Sequence, residues 1–163
     1  MSTVDMLDEN VEKTTGKYLT FPIGEEEYGI EISHVMEIIG IQKITELPDM
    51  PRYVKGVLNL RGKVIPVIDI RLRFGFKERP YDERTCIIVV QIDEIIVGII
   101  VDSVKEVLDI PMDLISPPTR IRKGEESRFI QGLAKIGKNV KILLDVSKLL
   151  YDKNIEIMQE VSA

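Results

Sequence analysis

Arg61 stands immediately before Gly62 in the run Asn59-Leu60-Arg61-Gly62. A glycine at that place can supply the positive φ of a tight hairpin turn, so the arginine projects from a fixed base. A guanidinium held this way can grip a carboxylate through two hydrogen bonds, which gives orientation as well as affinity. The alternative is a solvated turn residue. The remaining reactive side chains assemble no catalytic set. His34 is the only histidine, so it can make neither a His-based metal site nor, without a partner, a nucleophile triad. Cys86 is the only cysteine, which excludes an intramolecular disulfide and a multi-cysteine metal site. It reads as a small residue in a strand-like run, Thr85-Cys86-Ile87-Ile88-Val89-Val90, with a redox or nucleophilic thiol as the alternative. Glu25-Glu26-Glu27 reads as a solvated turn without calcium-loop spacing. Asp69 and Asp145 read as helix caps. There is no GxSxG, P-loop, GxGxxG or CxxC motif. The expectation is a chain that is not an enzyme and needs no cofactor or metal.

The elements that must position Arg61 come in two copies. Ile23–Ile39 aligns without a gap on Ile92–Leu108, placing Gly29 on Gly98, Val35 on Val104 and Glu37 on Glu106. Tyr53–Phe74 aligns on Phe129–Leu150, placing Gly56 on Gly132 and Asp69 on Asp145. A period of roughly 70–75 residues is too long for a solenoid repeat and reads as one small domain built twice. Shared residues are then scaffold, and differences are where function is sought. The clearest difference is Asn59-Leu60-Arg61-Gly62 against Lys135-Ile136-Gly137-Lys138.

Turn signals divide each copy into short strands. In the first, strands are expected at Lys17–Ile23, Glu27–Ile32, Ile41–Leu47, Tyr53–Leu60 and Lys63–Ile68, with a short helix His34–Ile38 capped by Ser33. Pro66 suggests an edge or a bulge, and Asp69 caps a helix Ile70–Phe74. The second copy repeats this with Arg84–Ile92, Ile95–Val101 (buried on both faces), Val107–Ile110, Phe129–Ile136 and Asn139–Leu144. Asp102 is the counterpart cap, Ser116–Ser127 a long loop, and Asp145 caps a final helix running through Tyr151 towards Gln159. Residues 1–16 form a mobile acidic tail, 17–151 the domain with a boundary near 77–83, and 152–163 a C-terminal helix or tail. Five short strands per half suggest small closed barrels sharing one continuous core.

Composition narrows the function classes. The 163 residues can bury a sizeable core unaided. A net charge of -5 with mixed signs, no tryptophan and few aromatics argues against nucleic acid, which asks for a basic face and stacking platforms. The longest aliphatic stretch, Ile95–Val101, is far short of the ~20 residues of a spanning helix. No signal peptide is visible, and a soluble cytoplasmic protein is expected.

Three motifs in order resemble the CheW-like domain of bacterial chemotaxis coupling proteins from about Tyr18 to Tyr151. They are Glu27-Tyr28-Gly29-Ile30-Glu31-Ile32 with Val35 and Glu37; Gly56-Val57-Leu58-Asn59-Leu60-Arg61-Gly62 followed by Pro66-Val67-Ile68-Asp69; and Val97-Gly98-Ile99-Ile100-Val101-Asp102 with Val104 and Val107. The resemblance implies a mainly β fold of two SH3-like five-stranded β-barrels packed together, with short helices and a C-terminal helix. It implies a non-enzymatic adaptor joining chemoreceptor cytoplasmic tips to the histidine kinase CheA. That adaptor would be a monomer in isolation, recruited to membrane-associated arrays without membrane insertion. The kinase's regulatory domain resembles the same fold, so barrel-to-barrel association is expected.

By the same resemblance, Val35, Glu37, Ile38, Gly56, Asn59 and Arg61, with Val104 on the other wall, are the candidate receptor groove. A helical receptor hairpin would dock in it, with Arg61 fixing polar register. For Val35, Ile38 and Val104 ordinary inter-barrel core is the alternative; for Gly56 it is a backbone requirement that Gly132 repeats. Thr85, Cys86 and Ile87 are candidate partner contacts, although the family usually has an aliphatic residue where Cys86 stands. An adaptor–receiver fusion would need a further domain and a kinase several; an excised kinase regulatory domain remains open, with a complete small protein expected. The competing class is a small β-barrel nucleic-acid-binding protein.

Overall fold

The computed structural model describes residues 16–118 and 128–156. The expected tail, apart from Gly16, lies outside them, as do most of the Ser116–Ser127 loop and the last residues towards Gln159.

Alternating apolar runs broken by turn residues form the strands β1 (Lys17–Ile23), β2 (Glu26–Glu31), β3 (Val35–Gly40), β4 (Val54–Leu60) and β5 (Lys63–Asp69) in the first copy. The second contributes β6 (Cys86–Ile92), β7 (Ile95–Val101), β8 (Glu106–Asp109), β9 (Ile115–Ser116), β10 (Ile130–Ile136) and β11 (Asn139–Leu144). Two short helices, α1 (Ile70–Arg73) and α2 (Val146–Leu150), follow β5 and β11. As expected, Asp69 and Asp145 cap them. Asp69 accepts from the backbone N–H groups of Arg71 and Leu72, and Asp145 from that of Lys148.

The strands form two sheets, one ordered β3-β6-β7-β5-β4 and one β8-β1-β2-β11-β10-β9. Two SH3-like subdomains are thus present, but one has six strands, because the two-residue β9 adds to β10. Neither copy makes a sheet of its own. Each sheet takes its first hairpin from one copy and the remaining strands from the other, so both draw on chain from either side of residues 77–83. That segment is a connection, not a boundary between sheets. The hairpins are exchanged at two parallel seams: Val67 pairs with Gly98 where β5 meets β7, and Leu143 with Gly29 where β11 meets β2. These pairs occupy equivalent places in the repeat, so one contact is made twice.

Three apolar clusters result. Ile87, Val89, Ile96 and Ile100 fill the five-stranded sheet together with Leu58, Ile65 and Val67. Tyr18, Ile110, Ala134 and Leu143 fill the other. Alternate residues of the same strands, Ile88, Val90, Val97, Ile99 and Val101, point the opposite way and meet Leu19, Phe21, Ile23 and Ile30 in the largest cluster, between the sheets. This accounts for the uninterrupted apolar character of β6 and β7, whose two faces line two cores.

Several local expectations are corrected. Val35–Gly40 is a strand, not a helix, because pairing with β6 (Ile39 opposite Ile87) overrides its helical spacing. The helical turn at this place is Ile32–His34, and no side chain caps it. Of Ile41–Leu47, only Thr45 bridges to β4, opposite Val57. Pro66 lies on an interior strand, and the bulge is in its partner β4 between Val54 and Gly56. Val57, opposite Pro66, directs its N–H and C=O to Thr45 instead, so no donor is missed there. Asp102 caps nothing: it accepts from Arg71 (2.8 Å) and pairs with Arg79 (3.2 Å). The final helix breaks after Leu150, and a separate α-helical turn covers 153–156.

Candidate docking site

The β4–β5 turn places two consecutive residues, Arg61 and Gly62, at positive φ (50° and 88°). Two such residues make the turn type whose twist suits a two-residue hairpin. Asn59 secures it by accepting from the Gly62 N–H through Oδ1 at 2.8 Å. The sequence expectation thus holds for Gly62, and Arg61 shares the left-handed conformation.

Arg61 is not idle. Its two terminal nitrogens donate to the two carboxylate oxygens of Glu37, Nη1 to Oε2 at 3.2 Å and Nη2 to Oε1. Glu37 lies on β3, at one end of the five-stranded order, and Arg61 beside β4, at the other. The forked pair therefore bridges the two ends of the curled sheet, where no strand pairing joins them. The Arg61 side chain remains 70% exposed, so its outer face is open to a partner. Hydrogen bonding to Arg61, and then its charge, hold the Glu37 carboxyl below the ordinary carboxylate range. Because the folded value is depressed, any stabilisation is present above the unfolded pKa and is lost as pH falls through the folded one. In an NMR titration the Glu37 carboxyl is expected to move up to an ordinary midpoint in Arg61→Ala. An unchanged midpoint would show the pair absent in solution.

The other candidate residues divide. Val35 and Val104, equivalent in the repeat, are half-buried against the same inter-sheet cluster. Ile38 is exposed on β3 beside exposed Met36. Gly56 is buried, and the backbone of Thr45 and Glu46 fills the space a side chain would need. It serves the backbone and offers no surface. Thr85 is buried, its hydroxyl accepting from the Asp82 N–H at 2.9 Å. Ile87 is fully buried within the five-stranded sheet. Of that trio only Cys86 reaches the surface in part, with burial pushing its thiol pKa up, away from reactivity. His34 pairs with Glu31 at 3.3 Å. Glu27, expected to be solvated, pairs instead with Lys105 and Lys141. Among the described residues no group of three or more His, Cys, Asp or Glu could hold a metal ion.

Sequence reasoning named Glu37 and Arg61 separately but did not join them. The repeat carried a signal: Glu37 has a counterpart in Glu106, whereas Arg61 is replaced by Gly137, so the pair can form in one copy only. It missed a second network altogether. Arg73 reaches Asp152 (3.1 Å) with its guanidinium between the rings of Tyr53 and Phe129, 4.3 and 4.6 Å from their centroids. Tyr53 also donates to Asp152 at 2.9 Å.

Fold and site define a double SH3-like scaffold that presents the exposed Arg61–Glu37 pair at a hairpin turn. The sequence comparisons agree: residues 17–154 match the model of the CheW-like domain, and the chain belongs to that family. It is 36% identical over 151 residues to a chemotaxis protein CheW of Klebsiella aerogenes, covering 92% of this chain and 91% of that one. It is 30% identical to FrzA of Myxococcus xanthus, over 82% of this chain and 84% of the relative. Among solved structures, the scaffolding protein TtCheW of Thermoanaerobacter tengcongensis superposes with a TM-score of 0.78 at 35% identity, covering 85% of this chain and 94% of that one.

Proposed function

We propose that this chain is a chemotaxis adaptor that couples the cytoplasmic tips of chemoreceptors to a CheA-type histidine kinase. The observation that carries this reading is its similarity to CheW proteins over nearly the whole of both chains. The receptor contact is assigned to the surface around Glu37, Ile38, Asn59 and Arg61, bordered at the inter-sheet seam by Val35 and Val104. Apolar side chains are exposed at equivalent places in both sheets, Ile38 with Val107 and Val64 with Val140, which supports association with a partner of related fold through either subdomain. Among the described residues no helix is long and apolar enough to cross a membrane. Recruitment to a receptor array would therefore proceed through protein contacts.

The test separates the two partners. Receptor signalling fragments and CheA-type kinase from the same organism are titrated separately against wild type and Arg61→Asp. Receptor binding is expected to weaken by about tenfold or more, the scale of losing one charge-assisted contact. The circular dichroism spectrum and melting temperature should stay within error, because the exposed pair adds little to stability. Unchanged binding of both partners would remove Arg61 from recognition, and failure of wild type to bind either would sink the adaptor reading.

A further inference from the structure

The two parallel seams are equivalent in the repeat but differ in chemistry two residues before the glycine pairs. At one, Lys141 lies opposite Glu27. Lys141 is only 5% exposed, and the Glu27 carboxylate pairs with both it and Lys105. At the other, the register that sets Val67 against Gly98 carries Ile65 beside Ile96, both buried in an apolar cluster. The same pair of positions is thus ionic in one sheet and aliphatic in the other.

We propose that the Glu27–Lys141 pair selects which hairpin docks at which seam. A chain built twice has an obvious rival fold, in which each copy closes on itself. The hairpin β1–β2 would then join β5, and β6–β7 would join β11. The glycine pairs would be satisfied equally well, since Gly29 would meet Val67 and Gly98 would meet Leu143. Glu27 would instead meet Ile65, and Lys141 would meet Ile96. Buried Lys141 and largely covered Glu27, whose side chain is 20% exposed, would both lose their countercharges, which is far more unfavourable than a paired burial. A buried ion pair adds little stability relative to apolar residues of similar size, and its best-attested use is to fix register and partner choice. Lys105, which follows β7 and reaches Glu27 from the second copy, reinforces the exchanged arrangement.

The whole chain, in a Cys86→Ser background, carries one of two cysteine pairs. Glu26→Cys with Val140→Cys reports the exchanged seam, and Glu26→Cys with Val64→Cys the self-closed one. Refolding from denaturant under oxidising conditions, chains with Glu27 and Lys141 intact are expected to close the 26–140 link when they carry that pair and to leave the 26–64 pair open when they carry the other. With Glu27→Ile and Lys141→Ile together, about a tenth or more of the product should carry the 26–64 link or emerge as a hairpin-exchanged dimer on size exclusion. A 26–64 pair that stays open in that variant, with 26–140 closing as in the intact chain, would overturn the proposal and assign the choice to the connecting segments. Should the apolar variant not fold, the reversed pair decides. Glu27→Lys and Lys141→Glu should each raise the 26–64 product and together suppress it; equal mispairing in the single and double variants overturns the assignment.

Discussion

Gly56→Ala is expected to lower the melting temperature by roughly 12 °C, the equivalent of about 4 kcal/mol in a chain of this size. A methyl group on Gly56 would stand 2.0 Å from the Thr45 carbonyl oxygen and 2.7 Å from its carbon. These are backbone atoms, so no rotamer change relieves the overlap. The glycine also holds φ at 142°, where other residues are strained. Relief requires the 45–46 segment to lift from β4, breaking both hydrogen bonds between Thr45 and Val57, each 2.9 Å. Gly62→Ala supplies the contrast. Its φ is also positive, but nothing lies within 4 Å of an added methyl, so only conformational strain of about 1 kcal/mol is expected. Thermal unfolding of both variants checks the ranking. If Gly56→Ala melted like wild type but lost receptor binding, Gly56 would be a contact residue after all.

Arg73→Ala should be nearly as damaging, costing about 3 kcal/mol, or about 9 °C in melting temperature. Its side chain is 7% exposed and that of Asp152 10%. Truncation leaves the carboxylate short of its countercharge and opens a gap between Tyr53 and Phe129. Those two rings are equivalent in the repeat, so a guanidinium from the first copy is clasped by matching aromatics from both. Asn154 extends the network by donating to the Tyr53 hydroxyl at 3.0 Å, tying residues after α2 to the turn before β4. Exchanging both partners, Arg73→Met with Asp152→Leu, should recover most of the loss, because no buried charge is then stranded. Calorimetry of the single and double variants tests this; a double variant no better than Arg73→Ala would show that the network matters through something other than its unpaired charge.

The sequence disclosed what is local. Turn glycines, capping aspartates and alternation placed β1, β2, β4, β5, β6, β7, β10 and β11 within a few residues. Where a segment's fate is decided by a distant partner, local pattern misled. Val35-Met36-Glu37-Ile38-Ile39 has apolar residues at helical spacing, and only the approach of β6 makes it a strand. The exchange of hairpins was invisible for the same reason. Residues 67 and 98, or 29 and 143, meet across the chain in parallel, and nothing near either announces the other. At the site, the turn that presents Arg61 was legible, while its partner Glu37 was not, since their union depends on the sheet curling until its two ends meet. Gly56 was open between two roles until the Thr45 backbone was found above it.

The exchanged hairpins also make the molecule mechanically indivisible. The first hairpin lies in the six-stranded sheet, yet three residues, Ile32–His34, lead from it to β3 in the five-stranded one. Its counterpart β6–β7 returns by a four-residue strap between Val101 and Glu106. Backbone, not only packing, crosses the interface in both directions, so a pull on either sheet is borne by covalent chain in the other. A partner gripping one subdomain thereby holds both, and a load between two partners would pass through taut polypeptide, not through a hinge.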